Sequence, residues 1–257
     1  MSALSSPVGV PADALVYAAG PRRSTEAGPG GIHIVALGGG TGLPVVLRGL
    51  KGALFGGEGG AHGNEGHALT AIVTAADDGG SSGRLREAYR LVPPGDIRNC
   101  LLALSEGDAT LSAIFEFRFA GDVERGIGGH SLGNLILAAL SHLERDFLLG
   151  VERATRMLSA RGRVLPATLD DVRLVAEFTD ESCVEGESRI AAAGRIIRRV
   201  GLSPADARAV PEARRAIADA DLVVLGPGSL YTSLIPVLLI RESAFAEPTA
   251  APVRLIT

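Results

Sequence analysis

Four short stretches of this 257-residue chain combine glycine with hydroxyl, imidazole, carboxamide or carboxylate side chains. They are Gly38-Gly39-Gly40-Thr41-Gly42-Leu43, then Asp77-Asp78-Gly79-Gly80-Ser81-Ser82-Gly83, then Gly128-Gly129-His130-Ser131-Leu132-Gly133-Asn134, and Gly226-Pro227-Gly228-Ser229-Leu230. Each follows an apolar or turn-forming stretch and opens a helical pattern. Glycine lets backbone approach a ligand closely, and the free N–H groups and dipole of a helix N-terminus favour an anion such as phosphate. The hydroxyls of Ser81, Ser82, Ser131, Ser229 and Thr232 add donors. The chemistry such turns suit is phosphate cradling.

Other residues extend the candidate site. Asp77 and Asp78 follow an apolar run, where an acid of a dinucleotide fold would hold ribose hydroxyls. Adjacent carboxylates could instead hold Mg²⁺ beside a phosphate, or cap a helix. Pro93-Pro94-Gly95-Asp96-Ile97-Arg98-Asn99 places Asp96 as a helix cap and lets Arg98 and Asn99 face a cleft. His130 suits donation to a phosphate, proton transfer or a structural hydrogen bond. Several known signatures are missing. A G-x-G-x-x-G pattern from Gly38 would need glycine where Leu43 stands. No G-K-[ST] exists, since Lys51 is the one lysine among 25 basic residues. No catalytic residue is assigned.

These turns need elements to position them. Ile32 to Leu37, Leu69 to Ala75 and Asp221 to Gly226 read as buried strands, each running into one of the glycine turns. Helical patterns follow in LPVVLRGLKGAL, SSGRLREAYR, IRNCLLALS, LSAIFEFRF, SLGNLILAALSHL and FLLGVERATRML. RVLPATL, VRLVAEFTD, SCVEGES and IIRRVGL alternate apolar and polar residues and predict short antiparallel strands. The helix VPEARRAIADA precedes the Asp221 strand, and PVRLIT closes the chain as one more strand. Strands alternating with helices give an α/β fold. The expectation is a Rossmann-like parallel sheet with helices on both faces and a small antiparallel excursion. Residues 1–30 read as a disordered tail and 31–257 as a single domain, with a glycine-rich insert over Gly56 to His67.

Composition narrows the classes. Hydrophobic residues make up 46 % and charged residues 21 %, which excludes wholesale disorder. A net charge of −4 argues against a nucleic-acid coat, so no nucleic-acid partner is expected. Cys100 and Cys183 cannot build a disulfide framework or a four-cysteine zinc site. The uncharged run Val223 to Ile240 contains GPGS and Pro236, so no membrane span is expected. No basic, apolar leader opens the chain, and the expected location is the cytoplasm. Abundant Ala, Gly and Arg suggest a GC-rich bacterial genome.

Taken together, GGGTGL, TAADDGGSSGRLR, PPGDIRNCLLALSE, GHSLGNLIL, RGRVLPAT and VVLGPGSLYTSLIPVLL resemble the YvcK-type gluconeogenesis factors of the CofD-like superfamily, from about Ile32 to Ile240. The resemblance implies a cytoplasmic, Rossmann-like protein that binds UDP-sugars, notably UDP-N-acetylglucosamine. It implies a regulator linked to gluconeogenic growth, cell shape and cell-wall precursor supply, with a regulatory protein of wall synthesis as partner. Oligomeric state is open, a homodimer included. No cofactor is established, Mg²⁺ on Asp77 and Asp78 being the candidate. The alternative is an enzyme similar to 2-phospho-L-lactate transferase, which shares the GGTG turn and the acidic pair. Family members usually continue past the strand that corresponds to PVRLIT, so the 31–257 domain is expected to be C-terminally incomplete.

Overall fold

The computed structural model describes residues 10–11, 31–56, 66–123, 126–241 and 253–255. Its main sheet is parallel and five-stranded. Strands β2 (His33–Gly38), β3 (Ala68–Val73), β4 (Arg163–Pro166), β8 (Leu222–Leu225) and β9 (Val253–Leu255) lie in the order β4-β3-β2-β8-β9. A second sheet is antiparallel, with β1 (Val10–Pro11), β7 (Ile197–Ser203), β5 (Arg173–Phe178) and β6 (Cys183–Glu185) in that order. The expected α/β architecture with an antiparallel excursion is therefore present. One strand changes sheets relative to expectation. RVLP pairs in parallel with β3 through Thr70↔Arg163 to Val73↔Pro166 and belongs to the main sheet. Its buried Val164 and Leu165 serve opposite faces of that sheet, which a short alternating string does not reveal.

Side chains of β2 alternate between two cores, as a strand covered on both faces must. Ile34 and Ala36 join Leu43 and Leu47 of helix α1 (Gly42–Phe55), the apolar faces of α3 (Pro94–Leu104) and α6 (Phe147–Met157), and Leu137 of α5 (Leu132–Glu144). Val35 and Leu37 face the other core. Leu174, Ala176 and Phe178 of β5, Val200 and Leu202 of β7, and Ala213 and Ile217 of α8 (Pro211–Ala218) close it. The antiparallel sheet thus helps to cover one face of the parallel sheet.

The remaining elements are α2 (Gly80–Tyr89), α4 (Ala109–Glu116), α7 (Glu187–Ala193), and a π-helical turn Leu230–Leu234 running into α9 (Ile235–Leu238). The tail expected over 1–30 lies outside the described residues apart from Val10 and Pro11, which pair with Val200 and Arg199. Most of the Gly56 to His67 insert also lies outside them. At its end His67 Nδ1 accepts from the Ile32 N–H at 2.9 Å.

Candidate functional site

β2, β3 and β8 end at one edge of the sheet, and the turns that leave them meet there, where parallel sheets commonly bind ligands. A Cβ on Gly42 would lie 1.9 Å from the Pro227 carbonyl oxygen, so the 38–43 and 226–230 turns are in direct backbone contact. Only a residue without a side chain permits this approach. Gly40 takes the left-handed conformation at φ 63°, and its N–H donates to Asp96 Oδ2 at 2.7 Å.

That bond corrects the expected role of Asp96. Helix α3 begins at Pro94, with Pro93 in the capping position and no side-chain cap. Proline is favoured at the first helical position, so the helix starts before Asp96 and leaves its carboxylate free to cross to the β2 turn. Burial raises the Asp96 carboxyl to a pKa of about 6. Asp77 and Glu187 push the same way, while the Gly40 N–H and Arg98 oppose them.

Asp77, Asp96 and Glu187 line one cleft of about 150 Å³, together with Gly40 and the hydroxyl residues Thr74, Thr232 and Ser233. Asp77 is raised by burial, against hydrogen bonds from the Gly79 N–H at 2.9 Å and from Ser82. Glu187 is raised by burial as well, against a hydrogen bond with Thr232.

Asp78 goes elsewhere. Its Oδ1 accepts from the N–H (2.8 Å) and the hydroxyl (2.6 Å) of Ser188 in the first turn of α7. The neighbouring carboxylates therefore serve different partners and do not form a chelating pair. Among the described residues no group of three or more His, Cys, Asp or Glu is arranged to hold a metal ion.

A second cluster adjoins the first through α2. Ser82 bonds Asp77 and also accepts from the Gly95 N–H at 3.1 Å. The adjacent Ser81 Oγ lies 2.9 Å from His130 Nδ1 and accepts from Asn134 Nδ2 at 3.1 Å. Asn134 Oδ1 in turn accepts from Arg98 at 3.0 Å, and Asn99 Oδ1 accepts from the same guanidinium at 2.7 Å. Arg84 donates to the carbonyls of Val123 and Gly128, and Arg118 donates to that of Gly129. Burial lowers the His130 pKa, and the charges of Arg84 and Arg118 lower it further.

The remaining candidates are scattered. Leu43 and Ser131 are fully buried, and the Ser131 hydroxyl donates to the Phe115 carbonyl. Gly38 and Gly226 pack on Leu43. Thr41 is exposed at the cap position of α1 and makes no side-chain capping bond. Gly80 starts α2 in the left-handed region, at φ 46°. Ser229 caps its own helical turn by accepting from the Thr232 N–H at 3.3 Å. Gly39 lies beside Asp96 and Thr74, and Gly228 lies beside Ser233.

Sequence reasoning missed Thr74, Ser233, Glu187, Arg84 and Arg118. Thr74 follows the last residue of β3, and the rule that ligands gather at carboxyl ends of strands would have found it. Glu187 carries no local signal, because the antiparallel excursion brings it in from 110 residues beyond Asp77.

The sequence profile of the family described as 2-phospho-L-lactate transferase CofD matches residues 34–253. The chain belongs to the CofD family. Gluconeogenesis factors of Listeria innocua and Bacillus subtilis are 48 % and 47 % identical to this CofD-family chain, over 82 % and 81 % of it. The chain spans 61 % and 62 % of their lengths, and 44 % of a Nostoc relative that is 50 % identical over 217 residues. A crystal structure of a Bacillus halodurans protein superposes with a TM-score of 0.77 at 44 % identity, covering 88 % of this chain and 68 % of that one. A second, of a Bacillus halodurans member of the UPF0052 family, gives 0.74 at 45 % identity, covering 84 % and 65 %. No described helix is long and apolar enough to cross a membrane.

Proposed function

We propose that this CofD-family domain is a cytoplasmic nucleotide-sugar-binding regulator of the gluconeogenesis-factor kind, with UDP-N-acetylglucosamine as ligand. Through that ligand it would couple gluconeogenic growth to cell shape and cell-wall precursor supply, with a protein of wall synthesis as its output. The observation that carries the reading is the meeting of the β2, β3 and β8 turns around one polar cleft. Carboxylates and hydroxyls there suit the hydroxyls of a sugar or ribose, and the cleft adjoins an arginine-flanked pair of helix N-termini that suits phosphate. The gluconeogenesis-factor relatives favour the same reading.

A second reading is a transferase acting on a phosphorylated substrate. The description of the matching family favours it, and a carboxyl with a pKa of about 6, that of Asp96, suits proton transfer near neutral pH. Calorimetric titration with UDP-N-acetylglucosamine, NAD and phospholactate donors separates the two. Saturable binding of the UDP-sugar alone, without turnover, is expected. Preferential binding and conversion of a phospholactate donor would replace the first reading by the second.

A further inference from the structure

Resting on the nucleotide-sugar reading, we infer that the ligand lies across the sheet edge in one orientation. Its uncharged, hydroxyl-bearing part enters the cleft at Gly40, and its diphosphate lies over the first turns of α2 and α5. The first glycine turn, which the sequence marks as the phosphate cradle, is thereby assigned to hydroxyls.

Three observations set this polarity. The Gly40 N–H that a phosphate would need is already held by Asp96 Oδ2 at 2.7 Å. The lining of that cleft carries Asp77, Asp96 and Glu187 and no cationic side chain. An anion placed there would meet three carboxyl groups, whereas a hydroxyl would find charged acceptors, which make stronger hydrogen bonds than neutral ones. The positive groups lie outside that lining. Arg98, 9 % exposed, directs its guanidinium at Asn134 in the first turn of α5, and its Nε has no hydrogen-bond partner. Arg84 and Arg118 flank His130, which touches Ser81 in the first turn of α2. The two sides join through the neighbours Ser81 and Ser82.

The polarity makes opposite demands on one substitution. In Asp96→Asn the side-chain oxygen can still accept from Gly40, but the charge is gone. With the full chain, affinity for UDP-N-acetylglucosamine is expected to fall about tenfold, and affinity for inorganic pyrophosphate to change less than about threefold. Glu187→Gln, which leaves the Gly40 bond untouched, is expected to act in the same direction. Arg84→Gln is expected to weaken both ligands. UDP distinguishes the source of the hydroxyls: weakened UDP binding in Asp96→Asn assigns them to the ribose, and unchanged UDP binding assigns them to the pyranose. Pyrophosphate binding about tenfold tighter in Asp96→Asn would overturn the inference by placing the anion at Gly40. Sugar-nucleotide affinity unchanged in both carboxylate variants would overturn it too. If the wild-type chain binds pyrophosphate but neither UDP nor the sugar nucleotide, the nucleotide-sugar reading itself fails.

Discussion

The two flanks of the cleft use the same local device and reach opposite electrostatic character. On the β2 and β8 flank, glycine turns in backbone contact enclose Asp77, Asp96 and Glu187. On the α2 and α5 flank, similar turns open helices beside Arg84, Arg98 and Arg118. A glycine turn before a helix supplies donors and close approach, but the side chains brought to it from distant elements decide what it can hold. The acidic flank depends on α3 and α7 for its charge. The basic flank depends on α2, α3 and the segment that carries Arg118.

The largest expected effect comes from separating the turns of the acidic flank. Gly42→Ala places a methyl group 1.9 Å from the Pro227 carbonyl oxygen, which backbone cannot tolerate without moving. A loss of roughly 3 kcal/mol in stability is expected, with loss of ligand binding. Denaturant unfolding of the variant checks the first and calorimetry the second.

Next is pH. The folded-state pKa of Asp96 is raised from 3.8 to about 6, so the folded chain holds this proton more tightly than the unfolded chain. Its contribution to stability is complete below about pH 4 and is lost as pH rises through about 6, a change on the order of 2–3 kcal/mol. Asp77 and Glu187, also raised, act in the same direction. Unfolding free energies measured from pH 4 to 7 should show this downward component, and Asp96→Asn should reduce it. An identical profile in the variant would contradict the placement of Asp96.

A smaller effect separates the neighbouring aspartates. Asp78 anchors the first turn of α7 through Ser188, so Asp78→Ala should cost about 1 kcal/mol, as the loss of a helix cap does. Asp78→Asn, which can still accept, should cost less. Thermal melts of both variants check this order.

The contrast also explains what was legible in the sequence. Strands ending in GGGTG and GPGS announce themselves, because apolar runs followed by glycine have few other uses. The adjacency of those two turns follows from the parallel topology. RVLP, at four residues, was too short to show which sheet it joins. Asp96 reads as a cap only while the start of its helix is unknown, and two preceding prolines move that start upstream. Glu187 enters the cleft through tertiary structure alone. The acidic character of the first turn was therefore hidden, while its existence was plain.

The central claim is that the β2, β3 and β8 turns and the α5 N-terminus form one ligand site. Hydrogen exchange of the chain with and without saturating UDP-N-acetylglucosamine tests it most directly. The account predicts added protection in 38–43, 77–83, 128–134 and 226–232 together, and none in β6, at the edge of the antiparallel sheet. Protection confined to the antiparallel sheet, or none at the four turns while the ligand is bound, would contradict it.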